Sequence, residues 1–413
     1  MADIRPFRAW RPRPDIADRV AALPYDVYDR AEARAEVERE PLSFLGIDRP
    51  ETQFPKEYDM YAPEVYDKAR DLLWSRIDSG DFVRDEAPCY YIYDQCFMGR
   101  SQTGIVAVSS VDDYLSGVIK KHENTLEAKE QDRIRHVDTC DMQTGPIFLC
   151  YRRDEELGRV IQGVMDGSAP LYDFETPQGV RSRVWRIDAE RDVAAVNGAF
   201  GRMDAVYIAD GHHRCASAVK VALKRRAEAH TDVTGAPYDY FLSVLFPDDQ
   251  LMIMDYNRVV RDLRGRSAEE FIAELGERFE VIEEKEAVHP AAKGEFGLYL
   301  SGRWYRLRVG EKLLSDDAVE SLDVSILQNV VLSPMLGIDD PKKDPRIGFV
   351  GGIRGLEELE RLCDDEGWAA AFSMYPTDIH ELFRVADEGR LMPPKSTWFE
   401  PKLLSGLFLH QLT

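Results

Sequence analysis

The stretch of the chain with the clearest chemical character is a predicted strand-turn-helix junction. An apolar run leads into Asp210-Gly211, and apolar residues at helical spacing follow it. His212, His213 and Arg214 bring hydrogen-bond donors to the first turn of that helix. The free N–H groups and the dipole of a helix N-terminus favour negative charge at the same point. The junction therefore predicts a phosphate or carboxylate site, in which Gly211 permits a close backbone approach.

A plainer interpretation of the same residues is open as well. Asp210 would then only cap the helix, and the two histidines would form a polar first turn. Cys215, which follows them, is interpreted as a small helix residue and not as a nucleophile. The five residues from Asp210 to Arg214 are all polar or glycine, and each has a role in an anion site. This favours the anion site over simple helix capping.

A second polar stretch surrounds another predicted helix start, because Asn124 and Glu127 have the spacing of a capping box and indicate a helix from about Thr125. The helix has few apolar residues, so it is either a solvated surface helix or one whose polar face lines a site. Glu123, flanked by potential cations, resembles an acid/base group beside an anion pocket. The candidate residues of this stretch are all charged or polar: Lys121, His122, Glu123, Asn124, Thr125, Lys129 and Arg133.

A third candidate is the proline-bracketed loop that carries Lys395, Ser396 and Thr397. The three residues imitate the end of a P-loop, but Pro394 precedes the lysine and no glycine-rich loop comes before it. The loop either closes over an anionic ligand or is a simple surface turn.

The amino-acid composition and the net charge limit the classes of function that the sequence favours. The chain has 413 residues with 53 basic and 75 acidic side chains, a formal net charge of -22. This charge disfavours partners such as nucleic acid and anionic membrane. The absence of a long apolar run predicts a protein without membrane spans, and we expect it in the cytoplasm. The N-terminal arginines either reach the anion site or, as we favour, pair with the acidic surface.

The predicted elements indicate a mixed α/β fold. Helices are predicted over 29–40 and 63–79, and strands over 90–93, 103–110 and 240–246. We expect residues 252–260 to form a strand that partners 240–246. A charge-rich stretch predicts a soft boundary at residue 261, with a catalytic core in 1–260 and a part that closes over the site in 261–413.

Four motifs together resemble one family, the domain of unknown function numbered 1015 (DUF1015). They are Leu23-Pro24-Tyr25-Asp26, Lys121-His122-Glu123-Asn124-Thr125, Asp210-Gly211-His212-His213-Arg214 and Met392-Pro393-Pro394-Lys395-Ser396-Thr397. The central motif also resembles the phosphate-binding turn of the ParB and sulfiredoxin-like superfamily, which includes free-serine kinases. This resemblance implies a ParB/sulfiredoxin-like core, elaborated by N- and C-terminal α/β segments, and a kinase that makes O-phosphoserine from L-serine.

Phosphoryl transfer requires bound phosphates, neutralised charge and an acceptor hydroxyl held in line. We assign the donor phosphates, from ATP or another phosphoanhydride, to Gly211, His212, His213 and Arg214, and a Mg²⁺ ion to Asp210. By resemblance Glu123 is the general base, with Asp210 as the alternative. Lys129 and Arg133 are assigned to substrate. The further phosphate or nucleotide contacts are Lys121, His122, Asn124, Thr125, Lys395, Ser396 and Thr397.

Two other functions are open at this point. One is a nucleotide-binding switch of the ParB type that hydrolyses nucleotide without a small-molecule acceptor. The other is a phosphohydrolase that passes through a phosphohistidine at His212 or His213. The oligomeric state is open as well.

Overall fold

The computed structural model describes residues 1–125, 127–229 and 235–413, apart from the side chains of residues 128 and 129. The chain forms two compact units. The first unit consists of Met1–Lys121, Thr125–Leu251 and Pro401–Thr413, and the second of His122–Asn124 and Met252–Glu400. The division at residue 261 into a catalytic core and a closing part stays a prediction.

The first unit contains most of the helices. Its described helices are α1 (Ala17–Val20), α2 (Arg30–Arg39), α3 (Leu45–Asp48), α4 (Pro63–Asp78), α5 (Val111–Ser116), α6 (Glu127–Cys140), α7 (Glu155–Gly167), α8 (Glu190–Phe200) and α9 (His212–Ala229). Its described strands are β1 (Ile4–Arg5), β2 (Trp10–Pro12), β3 (Phe82–Arg84), β4 (Tyr90–Phe97), β5 (Arg100–Ser110), β6 (Ile119–Lys120), β7 (Met142–Gln143), β8 (Ile147–Tyr151), β9 (Tyr172–Glu175), β10 (Arg181–Ile187), β11 (Val206–Asp210), β12 (Tyr240–Pro247) and β21 (His410–Gln411).

A mixed nine-stranded sheet is the framework of this unit. Its order is β6-β11-β8-β12-β5-β4-β10-β9, and β1 pairs with β5. The β6–β11 and β8–β12 pairs are parallel, and the β11–β8 and β12–β5 pairs are antiparallel. Strand β11 is the second strand from one edge of the sheet. Its first four residues are buried, and this fixes the position of the Asp210-Gly211 turn that follows.

The second unit is built on a smaller antiparallel sheet. Its order is β15-β17-β16-β19-β14-β18, and β13 pairs separately with β20. The strands are β13 (Met252–Met254), β14 (Tyr256–Val260), β15 (Phe279–Glu284), β16 (Glu295–Leu300), β17 (Arg303–Val309), β18 (Ile347–Gly351), β19 (Ala370–Met374) and β20 (Trp398–Glu400). The described helices of this unit are α10 (Ala268–Gly276), α11 (Asp323–Leu327), α12 (Glu357–Asp365) and α13 (Ile379–Asp387).

The mixed α/β fold is confirmed, and local signals account for many boundaries. Asp29 caps α2 through a capping box with Glu32, and α4 starts at Pro63, where a proline fits the first helical turn. The predicted partnership of 240–246 with 252–260 is wrong. Strand β12 pairs with β5 and β8, whereas β14 pairs with β18 and β19, because a run of strand-forming residues indicates a strand but not its neighbour.

The N-terminal arginines pair with acidic groups, as we favoured. Arg11 forms an ion pair with the buried Asp85 at 3.0 Å, and Arg19 forms one with Glu40 at 2.9 Å. None of the helices formed by the described residues is long and apolar enough to cross a membrane.

Candidate functional site

The predicted junction forms at the end of β11. The strand ends at Asp210, α9 begins at His212, and Gly211 between them has φ +91°. A Cβ atom at Gly211 would lie 3.1 Å from both Nε and Nη2 of Arg214. The absence of a side chain at Gly211 therefore makes room for the guanidinium of Arg214 directly against the turn, besides allowing the left-handed backbone.

Replacing Gly211 with alanine should destabilise the fold and disturb the site together. The positive φ and the contact with Arg214 should lower the free energy of unfolding by about 2 kcal/mol. Denaturant unfolding measures this loss. Gly163→Ala in α7 is the matched control, because a Cβ there meets no atom within 4 Å and alanine suits a helix interior. Equal stability of the two variants would contradict the strained conformation at Gly211.

The carboxylate of Asp210 is held by two groups. Its Oδ1 accepts a hydrogen bond from the N–H of Gly211 at 2.8 Å, and its Oδ2 lies 3.2 Å from Nζ of Lys402. Burial alone would raise the pKa of Asp210, but the charges of Lys402 and Arg214 outweigh it and hold the pKa well below its usual range. Asp210 is therefore an anion at neutral pH, flanked by two cations.

The ion pair of Lys402 with Asp210 should make stability depend on pH. A lowered folded-state pKa stabilises the protein above the unfolded pKa of about 3.9, and this stabilisation is lost as the pH falls toward the folded value. Lys402→Met should therefore lower the melting temperature relative to wild type at pH 5 to 8, and the difference should shrink below about pH 4. A difference independent of pH would contradict the ion pair.

Arg214 brings a second positive charge to the junction, in addition to that of Lys402. Its Nη1 donates to the carbonyl of Pro146 at 2.5 Å, which fixes the guanidinium. Among the described residues no carboxylate forms an ion pair with it. Two cations beside the single carboxylate of Asp210 leave a net positive charge, and the fixed guanidinium is a donor set for a bound anion.

Helix α6 contributes a second guanidinium from its polar face. Glu130, Arg133 and His136 on this face are 4%, 7% and 1% exposed, which favours the interpretation that the face lines a site. Arg133 pairs with Asp132 at 2.8 Å, and its guanidinium lies 4.0 Å from the ring centroid of Tyr25. The predicted Leu23-Pro24-Tyr25-Asp26 motif and α6 therefore meet.

Two cavities adjoin these residues. Tyr25, Arg133 and His213 line a cavity of about 230 Å³, and Asp26, Arg49 and Asp132 are among its other walls. Tyr25, Arg133 and Arg214 line a smaller cavity of about 30 Å³. Three segments of the first unit that are remote in sequence thus surround one region, which has room for a small molecule.

The other site residues that were predicted in the first unit are Lys121, Thr125, His212 and Lys129. Lys121 is exposed, with Nζ 5.8 Å from the ring centroid of Tyr114, and the hydroxyl of Thr125 donates to the Glu130 carboxylate. His212 is buried in the first turn of α9. The side chain of Lys129 lies outside the described residues.

The remaining predicted residues belong to the second unit. The carbonyl of His122 accepts from the N–H of Met392 at 2.8 Å, and Glu123, next along the chain, has a half-buried side chain. The carbonyl of Asn124 accepts from Nζ of Lys342 at 3.2 Å. The segment His122–Asn124 is therefore bonded to Lys342 and to Met392, the first residue of the Met392–Thr397 motif.

The Lys395 loop is rigidly held. Lys395 has φ +62°, and its carbonyl accepts from Nη2 of the buried Arg258 at 3.0 Å. Ser396 donates to the carbonyl of Pro393 at 2.6 Å, while Thr397 is partly buried. Left-handed backbone at a non-glycine residue is a form of strain found at functional loops.

The chain matches a family model described as Protein of unknown function (DUF1015) over residues 4–325. It belongs to the DUF1015 family. The match covers the first three motifs of the resemblance and ends before the Lys395 loop. None of the curated protein sequences is significantly similar to this DUF1015 protein.

Solved structures give weaker likenesses. A free serine kinase in complex with AMP is 15% identical, over 72% of this chain and 86% of the other, with a TM-score of 0.36. A conserved hypothetical protein from Pyrococcus furiosus is 16% identical, over 73% and 94%, with a TM-score of 0.35. SbnI with a C-terminal truncation from Staphylococcus aureus is 12% identical, over 72% and 85%, with a TM-score of 0.37. These TM-scores are too low to establish a shared fold.

Sequence reasoning missed two contributors to the site. Lys402, the partner of Asp210, is 192 residues away in the chain, and no spacing rule connects them. His136 follows Lys129 by seven residues in α6 and belongs to none of the four motifs. Only the unusual polarity of the helix, in which charged residues occupy positions that normally carry apolar ones, pointed to that face.

Proposed function

We propose that this DUF1015 protein is a phosphotransferase that moves a phosphoryl group from ATP or another phosphoanhydride to the hydroxyl of free L-serine. One observation carries the proposal: the fixed guanidinium of Arg214 lies against Gly211, and Arg214 and Lys402 together bring two positive charges to the single carboxylate of Asp210. A turn that leads into a helix N-terminus and carries a net positive charge suits a phosphate. The resemblance of the central motif to the phosphate-binding turn of free-serine kinases supports the reaction class.

In this proposal the groups of the junction hold and neutralise the donor. The N–H groups that follow Gly211, the guanidinium of Arg214 and the side chains of His212 and His213 bind phosphate oxygens. Lys402 adds charge beside them through its ion pair with Asp210. These groups stabilise the charge that develops on the transferred phosphoryl group and on the leaving oxygen.

The chemical step needs only one proton acceptor. The serine hydroxyl oxygen attacks the terminal phosphorus, the anhydride P–O bond breaks, and its electron pair leaves with the departing phosphate oxygen. Glu123 takes the hydroxyl proton. Asp210, the alternative base, is less suited because its pKa lies well below the usual range, which makes its carboxylate a weak proton acceptor. Arg133 and Lys129 orient the acceptor.

The described residues would bind Mg²⁺ only together with the phosphates of the donor and not through protein side chains alone. Among the described residues no group of three or more histidine, cysteine, aspartate or glutamate side chains is arranged to hold a metal. Mg²⁺ commonly binds through one or two carboxylates together with phosphates and waters. Asp210, with its side chain 37% exposed, would supply the carboxylate, and the ion would neutralise phosphate charge.

The further nucleotide contacts that the sequence suggests stay a prediction: Lys121, His122, Asn124, Thr125, Lys395, Ser396 and Thr397. The strained, pinned backbone at Lys395 supports a binding loop over a simple surface turn.

The direct test is a phosphorus NMR assay of the purified chain with Mg²⁺, L-serine and, separately, ATP, ADP, pyrophosphate and polyphosphate. We expect the O-phosphoserine resonance to appear with at least one donor, and its absence from a parallel preparation of the Arg214→Lys variant excludes a contaminating kinase. Nucleotide hydrolysis without phosphoserine would instead favour the switch. An acid-labile phosphoenzyme would favour the phosphohistidine hydrolase.

A further inference from the structure

The carboxylate of Asp210 already has a cation on one of its oxygens. Among the described residues its two hydrogen-bond donors are the N–H of Gly211, which reaches Oδ1 at 2.8 Å, and Nζ of Lys402, which reaches Oδ2 at 3.2 Å. The side chain of Asp210 is 37% exposed, so ions in solution can reach it. Because Oδ1 is held by the backbone, Oδ2 is the oxygen that a second cation would have to take from Lys402.

The backbone of Lys402 is fixed by a pair of buried amide side chains. Nε2 of Gln95 donates to the carbonyl of Lys402 at 2.9 Å, and Nε2 of Gln102 donates to Oε1 of Gln95 at 2.9 Å. Gln95 and Gln102 are 0% and 3% exposed and face each other across the β4–β5 strand pair. The flexible four-carbon stem of the lysine is therefore the part that can reorient. Its ammonium can change partner without a movement of the backbone.

A divalent cation and the ammonium of Lys402 compete for Oδ2. Two cations on one carboxylate oxygen lie close together and repel each other. The charge of Arg214 acts on the same carboxylate and adds to the repulsion. In the empty site the ammonium is the favoured occupant, because the chain holds it in place and Mg²⁺ gives up its water reluctantly.

A polyphosphate donor reverses this balance. In the proposed function its phosphates bind at the start of α9, directly after the Asp210-Gly211 turn, and they bring several negative charges. The carboxylate of Asp210 and a phosphate oxygen can then share a Mg²⁺ ion. The displaced ammonium of Lys402 gains phosphate oxygens as acceptors, with which it forms charge-assisted hydrogen bonds. Each charge therefore keeps a partner of opposite sign throughout the exchange.

We propose that Lys402 holds the metal position at Asp210 while the site is empty and moves to the donor phosphates when Mg²⁺ enters with them. The inference rests on the proposed function and gives Lys402 a direct contact with the donor. When Mg²⁺ is absent, Lys402 still separates the carboxylate of Asp210 from the phosphates. Without Lys402 the carboxylate would repel a metal-free donor, so donor binding would depend much more strongly on Mg²⁺.

The Mg²⁺ dependence of donor binding tests this exchange. The probes are pyrophosphate and ADP, titrated calorimetrically into the full chain without L-serine, once with Mg²⁺ and once with EDTA at equal ionic strength. The measured quantity is the ratio of the Kd in EDTA to the Kd in Mg²⁺. In Lys402→Met this ratio should exceed that of wild type by about tenfold or more, the effect of a hydrogen bond to a charged group. An unchanged or smaller ratio overturns the inference.

Two further variants serve as comparisons. Lys402→Arg keeps the positive charge, and its ratio should be close to that of wild type. Lys224→Met is the matched control, because Lys224 also belongs to an ion pair of the first unit, with Asp138 at 2.5 Å. Its ratio should equal that of wild type. General damage to the fold would weaken binding in both buffers and would leave the ratio unchanged, so it cannot imitate the expected result.

A double substitution tests whether Asp210 is the group for which the two cations compete. In an Asp210→Asn background, Lys402→Met should no longer raise the ratio, because no carboxylate is left to repel the metal-free donor. If Lys402→Met raised the ratio as much in this background as in wild type, Lys402 would not act through Asp210, and the inference would be overturned.

The outcomes separate this exchange from the proposed function. A raised ratio in Lys402→Met without phosphoserine from any donor would refute the kinase and leave the exchange. Phosphoserine formation with an unchanged ratio would refute the exchange alone. If neither probe binds the wild-type chain, the exchange is refuted, and the phosphorus NMR assay decides the kinase independently.

Discussion

Replacing Arg214 with lysine should lower kcat/KM for phosphoryl transfer about a thousandfold while the chain stays folded. Lysine keeps the charge but loses the planar fork and the bond to the carbonyl of Pro146 that fixes the group beneath Gly211. Removing one pre-organised donor from a transition-state site typically costs about a hundred- to a thousandfold in rate. The value of kcat/KM is obtained from the steady-state rate at which the dephosphorylated donor is released, measured with saturating L-serine.

The control for this variant lies on the same helix. Arg225 is another largely buried arginine of α9, and it pairs with Asp138 and Asp141 away from the turn. Arg225→Lys should leave kcat/KM within about threefold of wild type. If Arg214→Lys retained as much activity as the Arg225 variant, with an unchanged melting temperature, Arg214 would not contact the transferred phosphoryl group.

Glu123→Gln should reduce serine phosphorylation by about a hundred- to ten-thousandfold, the usual cost of losing a general base. The amide has nearly the size of the carboxylate and keeps its hydrogen-bonding capacity, but it cannot take the hydroxyl proton. Donor binding should therefore survive, and a titration with the nucleotide should give a Kd close to that of wild type. The decisive quantity is kcat, measured with both substrates saturating.

A neighbouring acid provides the comparison. Glu127 is an exposed glutamate in the first turn of α6, and Glu127→Gln removes the same charge four residues further along the chain. We expect this variant to keep nearly full kcat. A Glu123→Gln protein with more than about a tenth of wild-type activity would exclude Glu123 as the base and would return that role to Asp210.

The local architecture of the site could be predicted from the sequence. The apolar run, the Asp210-Gly211 turn and the helical spacing after it predicted β11, the turn and α9, which the structure contains. The sparse apolar content of 125–140 marked α6 as unusual before its polar face was known to be buried. Both inferences depend on interactions within a few residues, which the order of side chains specifies directly.

The partners of strands and charges could not be predicted in the same way. Residues 252–260 were predicted to be one strand beside 240–246, yet they form β13 and β14, and β14 pairs with β18 and β19 and not with β12. Residues that favour a strand carry no information about which strand will be its neighbour.

By itself, the sequence determined that this chain has a mixed α/β fold, the DUF1015 motifs and a strand-turn-helix junction rich in cations. Only the tertiary structure decided that Lys402 meets Asp210, that Arg133 meets Tyr25 and that Arg214 lies against Gly211. The physical reason is the separation along the sequence of the residues that interact. Helix periods, caps and turns are set by neighbours in the chain, whereas ion pairs and cavity walls are set by the packing of remote elements, which no local spacing encodes.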